Sequence, residues 1–401
     1  MTKFSKTISY FLFLTVFPIT LLNATEEVSL SIVGDLMCHM MQIHYAQREN
    51  GFYDFYPQFE TISPYLKEAD CTIGNLETTI SNANIGYFGY PLFRTPGAYV
   101  KALKEAGFDL LTTINNHSLD GASFGIDNTI SVIRSYRLAQ TGTFLSTQDP
   151  TIPLIYKVKG ITFAFIAFTH SLNCNEHKIP PKELPHRYVL IQDKKRVIQT
   201  INNAKAKNPN FIIAFVHWGD EYFLKPNKEQ KEQAQFLAEH GVDIIMGSHP
   251  HVPQPLELIL VKQEDGLEKK VPVIFSLGNF IANMSHLIHP HSDIGIILNL
   301  YFAKKKIESS DLFCIGEGEY YLKSIDYIPS WCHIFEYKNP HQERCKKGFE
   351  VIPLFEDDTL LPNTQHPLSS EAKERYKEAY KDVTTQMNRE WFIPKPICNS
   401  N

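Results

Sequence analysis

Thr112-Thr113-Ile114-Asn115-Asn116-His117-Ser118-Leu119-Asp120-Gly121 is the stretch on which the reading of the fold turns. A β-prone apolar run, Phe108 to Ile114, stops at two amides and an imidazole, and a small polar loop with a glycine follows. A buried strand delivering Asn-Asn-His at its C-terminal end is a common way for an α/β sheet to present polar ligands in a crevice. Asn and His also cap and turn chains, so a single end of this kind carries little weight. The weight comes from its repetition.

Upstream, Val28 to Val33 reads as a strand ending in Gly34-Asp35-Leu36-Met37-Cys38-His39, and a short strand ends in Gly74-Asn75-Leu76-Glu77. Helical spacing is expected near Phe59 to Ala69, over Ala98 to Ala106 with Gly107 as its stop, and over Ile126 to Tyr136. Downstream, residues 151–168 read as two strands, the second being Ile161 to Phe168. The apolar run Phe211 to Val216 ends in His217-Trp218-Gly219. Val242 to Met246 ends in Gly247-Ser248-His249-Pro250-His251, Val271 to Phe275 ends in Ser276-Leu277-Gly278-Asn279, and a last strand runs from Ile294 to Phe302. Helices are expected over Asp193 to Lys207 and Lys228 to His240. Strands alternating with helices, several apolar enough to be buried on both faces, predict an α/β domain with a largely parallel sheet over about residues 26–302. Residues 303–401 form an extension rich in Tyr, Trp and Cys. Its clearest element is a helix over Glu371 to Met387 with one stripe of Ala372, Tyr376, Ala379, Tyr380, Val383 and Met387.

Asp35, Glu77, Asn116/His117, His217, His249/His251 and Asn279 all fall at C-terminal ends of expected strands. In a parallel sheet such ends share one rim, so residues far apart in sequence converge. Two carboxylates, an amide oxygen and several imidazoles make a mixed N/O donor set. It suits Mn, Fe or Zn better than Ca or Mg, and the lack of thiolates disfavours structural zinc. Six or more donors suffice for two ions bridged by a carboxylate and a water. Each residue alone has a plainer explanation as a core or turn side chain; His249-Pro250-His251, stiffened by its proline, is the most specific.

Lys3 and Lys6 before the apolar run Ile8 to Leu22, then Leu22-Asn23-Ala24, have the order of a signal peptide cleaved after Ala24. An uncleaved anchor is the alternative; the run is shorter than the ~20 residues of a spanning helix and contains Pro18. Cleavage leaves 37 basic and 44 acidic side chains, and there is no basic stripe interleaved with aromatics, so nucleic acid is excluded as a partner. Export permits disulfides among the seven cysteines, with at least one thiol left over; four lie beyond residue 310, where pairing is expected.

Taken in order, Gly34-Asp35-Leu36-Met37, Gly74-Asn75-Leu76-Glu77-Thr78, Asn115-Asn116-His117-x-x-Asp120-x-Gly, His217-Trp218-Gly219-x-Glu221-Tyr222, Gly247-x-His249-Pro250-His251-Val252-x-Gln254 and Ser276-Leu277-Gly278-Asn279-Phe280 resemble the CapA family of bacterial capsule (poly-γ-glutamate) synthesis proteins. That family resembles the calcineurin-like metallophosphoesterases, and the resemblance implies an αββα sandwich with a two-metal site. It implies that Asp35 binds one metal and Asn116 the other. Glu77 would then replace the usual bridging aspartate, His217, His249 and His251 would complete the shells, and His117 would protonate a leaving group. Met37 and Asn75 stand where phosphoesterases carry a histidine and an aspartate, and His39 is a candidate substitute for the former.

Three functions follow from the resemblance. One is a metal-dependent hydrolase or transferase acting on an anionic surface polymer of the poly-γ-glutamate type, or on its precursor. The second is a periplasmic phosphoesterase acting on a small phosphoester. The third is a non-catalytic partner of a membrane polymer synthase or exporter complex.

Overall fold

The computed structural model describes residues 27–263, 266–304, 319–338, 345–357 and 362–387. The region from Lys3 to Ala24 that reads as an export signal lies outside them, as do Cys314 and Cys398. Among the described residues no helix is long and apolar enough to cross a membrane.

The strands form two main sheets rather than the single one expected from periodicity. The first runs, in spatial order, Cys345–Pro353, Tyr320–Lys338, Ile294–Lys304, Val28–Leu36, Cys71–Leu76, Leu110–Thr112 and Ala139–Thr141, with the short Asn279–Ile281 also paired to Val28–Leu36. The second runs Pro253–Lys262, Glu268–Leu277, Ile244–Ser248, Phe211–His217, Ile161–Thr169 and Leu154–Val158. In the first sheet the strands from Val28–Leu36 to Ala139–Thr141 are parallel and the three on its other side antiparallel; in the second the middle is parallel and both edge strands are antiparallel. Periodicity along one strand cannot reveal which strands pair, and a second sheet leaves the same local signal as a longer first one.

Side chains alternating across each strand account for the layers. Leu30 and Ile32 of the first sheet face Phe163 and Phe165 of the second in one central core. Val33 and Leu36 point the other way, against Val100 and Leu103 of the helix Ala98–Ala106. Ala164, Ile166 and Phe168 likewise meet Val197 and Ile201 of the helix Lys194–Lys205 and Leu237 of the helix Lys228–Glu239. The result is helices, sheet, sheet, helices: the αββα sandwich.

Two local expectations are corrected. Phe59 to Ala69 is not one amphipathic helix but a 3₁₀ turn at Tyr56–Gln58 and a single helical turn at Ser63–Leu66. Pro57 and Pro64 each start a turn and cannot continue one from before it. The strand expected from Phe108 to Ile114 pairs only over Leu110–Thr112, because Ser118 Oγ then folds the chain back by donating to the Thr113 carbonyl and accepting from Asn115 N–H.

Much of the C-terminal part belongs to the same body. Tyr320–Lys338 pairs with Ile294–Lys304 from Trp331 opposite Ile294 to Tyr320 opposite Lys304, and Cys345–Pro353 adds the outermost strand. The helix Ser370–Gln386 starts at Ser369, whose hydroxyl accepts from Ala372 N–H at 3.2 Å. Its stripe of Tyr376, Ala379, Val383 and Met387 is buried in the central core. Burial of a side chain such as Val383 is worth about 1.5–3 kcal/mol. Cys38, Cys71, Cys174 and Cys332 are free thiols.

Candidate metal centre

The two sheets bring their strand ends together at one place. The first delivers Asp35 from Val28–Leu36, Asn75 and Glu77 from the end of Cys71–Leu76, and Asn115 to His117 from the loop after Leu110–Thr112. The second delivers His217 from Phe211–His217 and the turn Ser248 to His251 after Ile244–Ser248. Gly34 makes the seam possible: Asp35 N–H donates to the Gly278 carbonyl at 3.0 Å, and a Cβ at Gly34 would lie 1.9 Å from that same oxygen. His249 (φ 99°) and His251 (φ 58°) both adopt left-handed backbone, rare for a non-glycine residue and a form of strain that gathers at functional sites.

Two groups of donors result, and they share one carboxylate. Glu77, His217 and His249 form the first; Asp35, Glu77 and His251 form the second. In the first, His217 Nε2 lies 3.4 Å from Glu77 Oε1, 3.1 Å from His249 Nδ1 and 2.9 Å from Asn116 Oδ1. In the second, Asp35 Oδ2 is 3.2 Å from His251 Nδ1, and His251 Nε2 is 3.9 Å from Glu77 Oε1. Glu221, exposed at the rim, makes a further group with His249 and His251.

Glu77 is the test of whether these residues fit a cation. It is fully buried, and neither carboxylate oxygen has a hydrogen-bond partner. Burial, reinforced by the charges of Asp35 and Glu221, pushes its carboxyl well above the usual range. A carboxylate in that position is costly unless a positive charge meets it. Burial pulls His217 and His249 well below the ordinary imidazole range, which keeps their lone pairs available. Burial also opposes the charged forms of Asp35 and His251, but their mutual hydrogen bond and attraction win. Asp35 is held low and His251 high. The donor set fits one or two divalent ions of the Mn, Fe or Zn type.

Neutral side chains fix the orientation of the donors. Asn75 Nδ2 donates to Asp35 Oδ1 at 2.8 Å, while Asn75 Oδ1 accepts from Thr112 Oγ1 and Asn115 Nδ2. Ser248 Oγ is 2.9 Å from His217 Nδ1, and Asn279 Oδ1 is 3.0 Å from His251 Nδ1. Beside this set, His117 Nδ1 meets Asp120 Oδ2 at 2.7 Å. That carboxylate also accepts from Phe93 N–H at 2.7 Å, and the Phe93 ring stands edge-on to His117. A carboxylate at Nδ1 holds a proton there and leaves Nε2 as the ring's other exchange position.

Asp35, Glu77, Asn116, His217, His249 and His251 are thus brought together, with His117 close enough for its charge to act on His217 and His249. His39 is not among them. It caps the helix Met40–Ala46, its Nδ1 accepts from Asn283 N–H at 3.2 Å, and its ring packs on Phe93. Sequence reasoning missed Asn75, Asp120 and Ser248 as orienting groups. It also missed His170, whose Nδ1 is 2.9 Å from the His217 carbonyl and whose ring is 4.8 Å from that of His249. Glu221 stood in a quoted motif without a role.

An αββα sandwich with this donor set on its facing strand ends is an α/β fold of the metallophosphoesterase-like class. The chain belongs to the family described as bacterial capsule synthesis protein PGA_cap, which it matches over residues 29–284. It is 29% identical over 267 residues to the capsule biosynthesis protein CapA of Bacillus anthracis, covering 64% of this chain and 60% of that one. It is 29% identical over 259 residues to the PGA biosynthesis protein CapA of Bacillus subtilis (strain 168), covering 64% and 63%. The match therefore spans about three-fifths of the length of these relatives. A hypothetical protein from Thermus thermophilus aligns with 81% of this chain and 99% of its own at 11% identity and a TM-score of 0.35, too loose a likeness to bear on function.

Proposed function

We propose that this chain is an exported CapA-like protein of capsule or surface-polymer biosynthesis. Its metal centre would cut, release or transfer an anionic polymer of the poly-γ-glutamate type. The observation that carries the reading is the pair of donor groups meeting at Glu77, a buried carboxylate that makes no hydrogen bond and has only imidazoles, at 3.4 and 3.9 Å, for company. Asp35, Glu77 and His251 would hold one ion, and Glu77, Asn116, His217 and His249 the other. Bound there, a divalent pair supplies a water of lowered pKa and a clamp on the attacking and leaving oxygens.

The protein's own residues do the rest. Asn75 keeps Asp35 turned toward the centre, and Asn279 does the same for His251. Asp120 holds His117 by Nδ1 and would stabilise its imidazolium form, whose Nε2–H would pass its proton to a departing group. That dyad favours catalysis over a purely binding role, since a scaffold has no use for an oriented acid. The polymer's negative charge would meet the bound ions rather than the surface, because the chain as a whole is acidic.

Metal analysis tests the centre. Protein purified after Mn²⁺ loading retains metal, whereas the double variant His249→Ala, His251→Ala does not; equal content in the two would sink the site. Incubation of loaded protein with poly-γ-glutamate tests the substrate. A shift in polymer length or end groups supports the reading, and an unchanged polymer turns it toward small phosphoesters.

A further inference from the structure

We infer that the C-terminal helix Ser370–Gln386, beyond the family match at residues 29–284, is a positioning clamp for the metal ligand His251. The inference rests on the metal centre proposed above.

The connection is continuous. Arg375 Nε and Nη2 donate to the two oxygens of Asp293 at 2.9 and 2.8 Å, and Trp331 Nε1 donates to Asp293 Oδ2 at 3.0 Å. Asp293 and Arg375 are both buried. The preceding residue, Ser292, offers its carbonyl to Asn279 Nδ2 at 2.8 Å. With its amide nitrogen so committed, Asn279 turns Oδ1 toward His251 Nδ1 at 3.0 Å. Two acceptors at Nδ1, Asn279 Oδ1 and Asp35 Oδ2 at 3.2 Å, keep a proton on that nitrogen, so the atom His251 would offer an ion is Nε2, 3.9 Å from Glu77 Oε1.

The same helix fastens the other wall. Gln386 Nε2 donates to the Leu224 carbonyl, just past Glu221 and Tyr222. Tyr222 in turn stacks on His289 with ring centroids 4.0 Å apart, and its own ring lies 6.1 Å from that of His251. Arg375 also reaches Asp382 at 2.8 Å, and Asp382 lies 3.3 Å from His291. Both loops flanking His251 are therefore tied to one helix. A buried ion pair adds little net stability, because desolvation offsets its attraction. What it does add here is a fixed position for Ser292 and hence for Asn279.

The test is Co²⁺ binding by full-length protein, read by calorimetry and by the visible absorption of the bound ion, well below each variant's Tm. Arg375→Met should bind Co²⁺ about tenfold more weakly than wild type, with a changed spectrum, as outer-shell losses do. Arg375→Lys should recover part of the loss. Ala379→Gly, which lowers overall stability but leaves the Arg375–Asp293 pair in place, should keep wild-type affinity at temperatures where the helix is formed. Wild-type affinity in Arg375→Met, or an equal loss in Ala379→Gly, overturns the clamp alone. Should Arg375→Met fail to fold, Asp293→Asn carries the same comparison with the same expected loss. A wild-type protein that binds no Co²⁺ overturns the metal centre and the clamp with it.

Discussion

His217 Nε2 lies 2.9 Å from Asn116 Oδ1, an imidazole of the second sheet against an amide of the first. The two residues are separated by 101 positions in the chain. With His249 Nδ1 and Glu77 Oε1 also within 3.4 Å of that nitrogen, four electron-rich atoms crowd one point. Hydrogen bonds between them can satisfy only some of these atoms; a shared cation would take a lone pair from each.

Glu77 should show opposite effects on metal binding and on metal-free stability. Its carboxyl pKa is raised in the fold, so it favours folding below the unfolded carboxylate pKa and loses that contribution as pH rises through the folded value. At neutral pH the metal-free protein carries that cost. Glu77→Gln should therefore raise the Tm of chelator-treated protein, by the equivalent of about 1–3 kcal/mol, while abolishing the Tm gain that Mn²⁺ gives wild type. A metal-free variant that melts lower than wild type would refute this.

His117→Gln should leave metal content unchanged and lower turnover on the active substrate by ~10²–10⁴, the usual effect of removing a general acid. Asp120→Asn should fall between the two, because it disturbs only the orientation of the ring. Steady-state rates and metal content on the same preparations decide the matter. Metal lost together with rate would make His117 structural.

Acid should destabilise the fold through two histidines outside the donor groups, the half-buried His39 and the buried His333. Burial holds His39 and His333 down at about 4. The unfolded chain then binds more protons than the native one from about pH 6.5 down to about 4, so stability rises with pH across that window. Each contributes up to about 1.4 kcal/mol per pH unit there. Urea midpoints at pH 4.5 and 7.5 should differ less for His333→Phe than for wild type. An identical difference would show that His333 is not involved.

Gly34→Ala should cost more than an ordinary core change. No left-handed backbone is at issue; the added methyl meets the Gly278 carbonyl in a seam with no flexible side chain to move. Overpacking of this kind costs about 1–3 kcal/mol or more. Thermal melts should show the loss, and a variant as stable as wild type would mean the seam is looser than described.

How much of this was legible in the sequence follows from what is local. A polar residue closing an apolar run is a local signal, and it marked Asp35, Glu77, Asn116, His217, His249 and His251. The partition of those strands between two sheets depends on pairing across the fold, and it left no trace along the chain. Asn75 looked like a lost aspartate because its work lies in bonds to Asp35, Thr112 and Asn115, 37 to 40 residues away. The long strand Tyr320–Lys338 went unrecognised because its alternation of aromatic, charged and small residues resembles no simple half-buried pattern.

The division of the donor set between the sheets sets an order of events. Residues 27–141 carry Asp35, Glu77 and Asn116, and the three imidazole donors come later, the last at His251. No early fragment of the growing chain carries all the donors of either group. An ion held at this centre would find its donors together only once both sheets have formed and closed face to face, so its capture would report a finished fold rather than seed one.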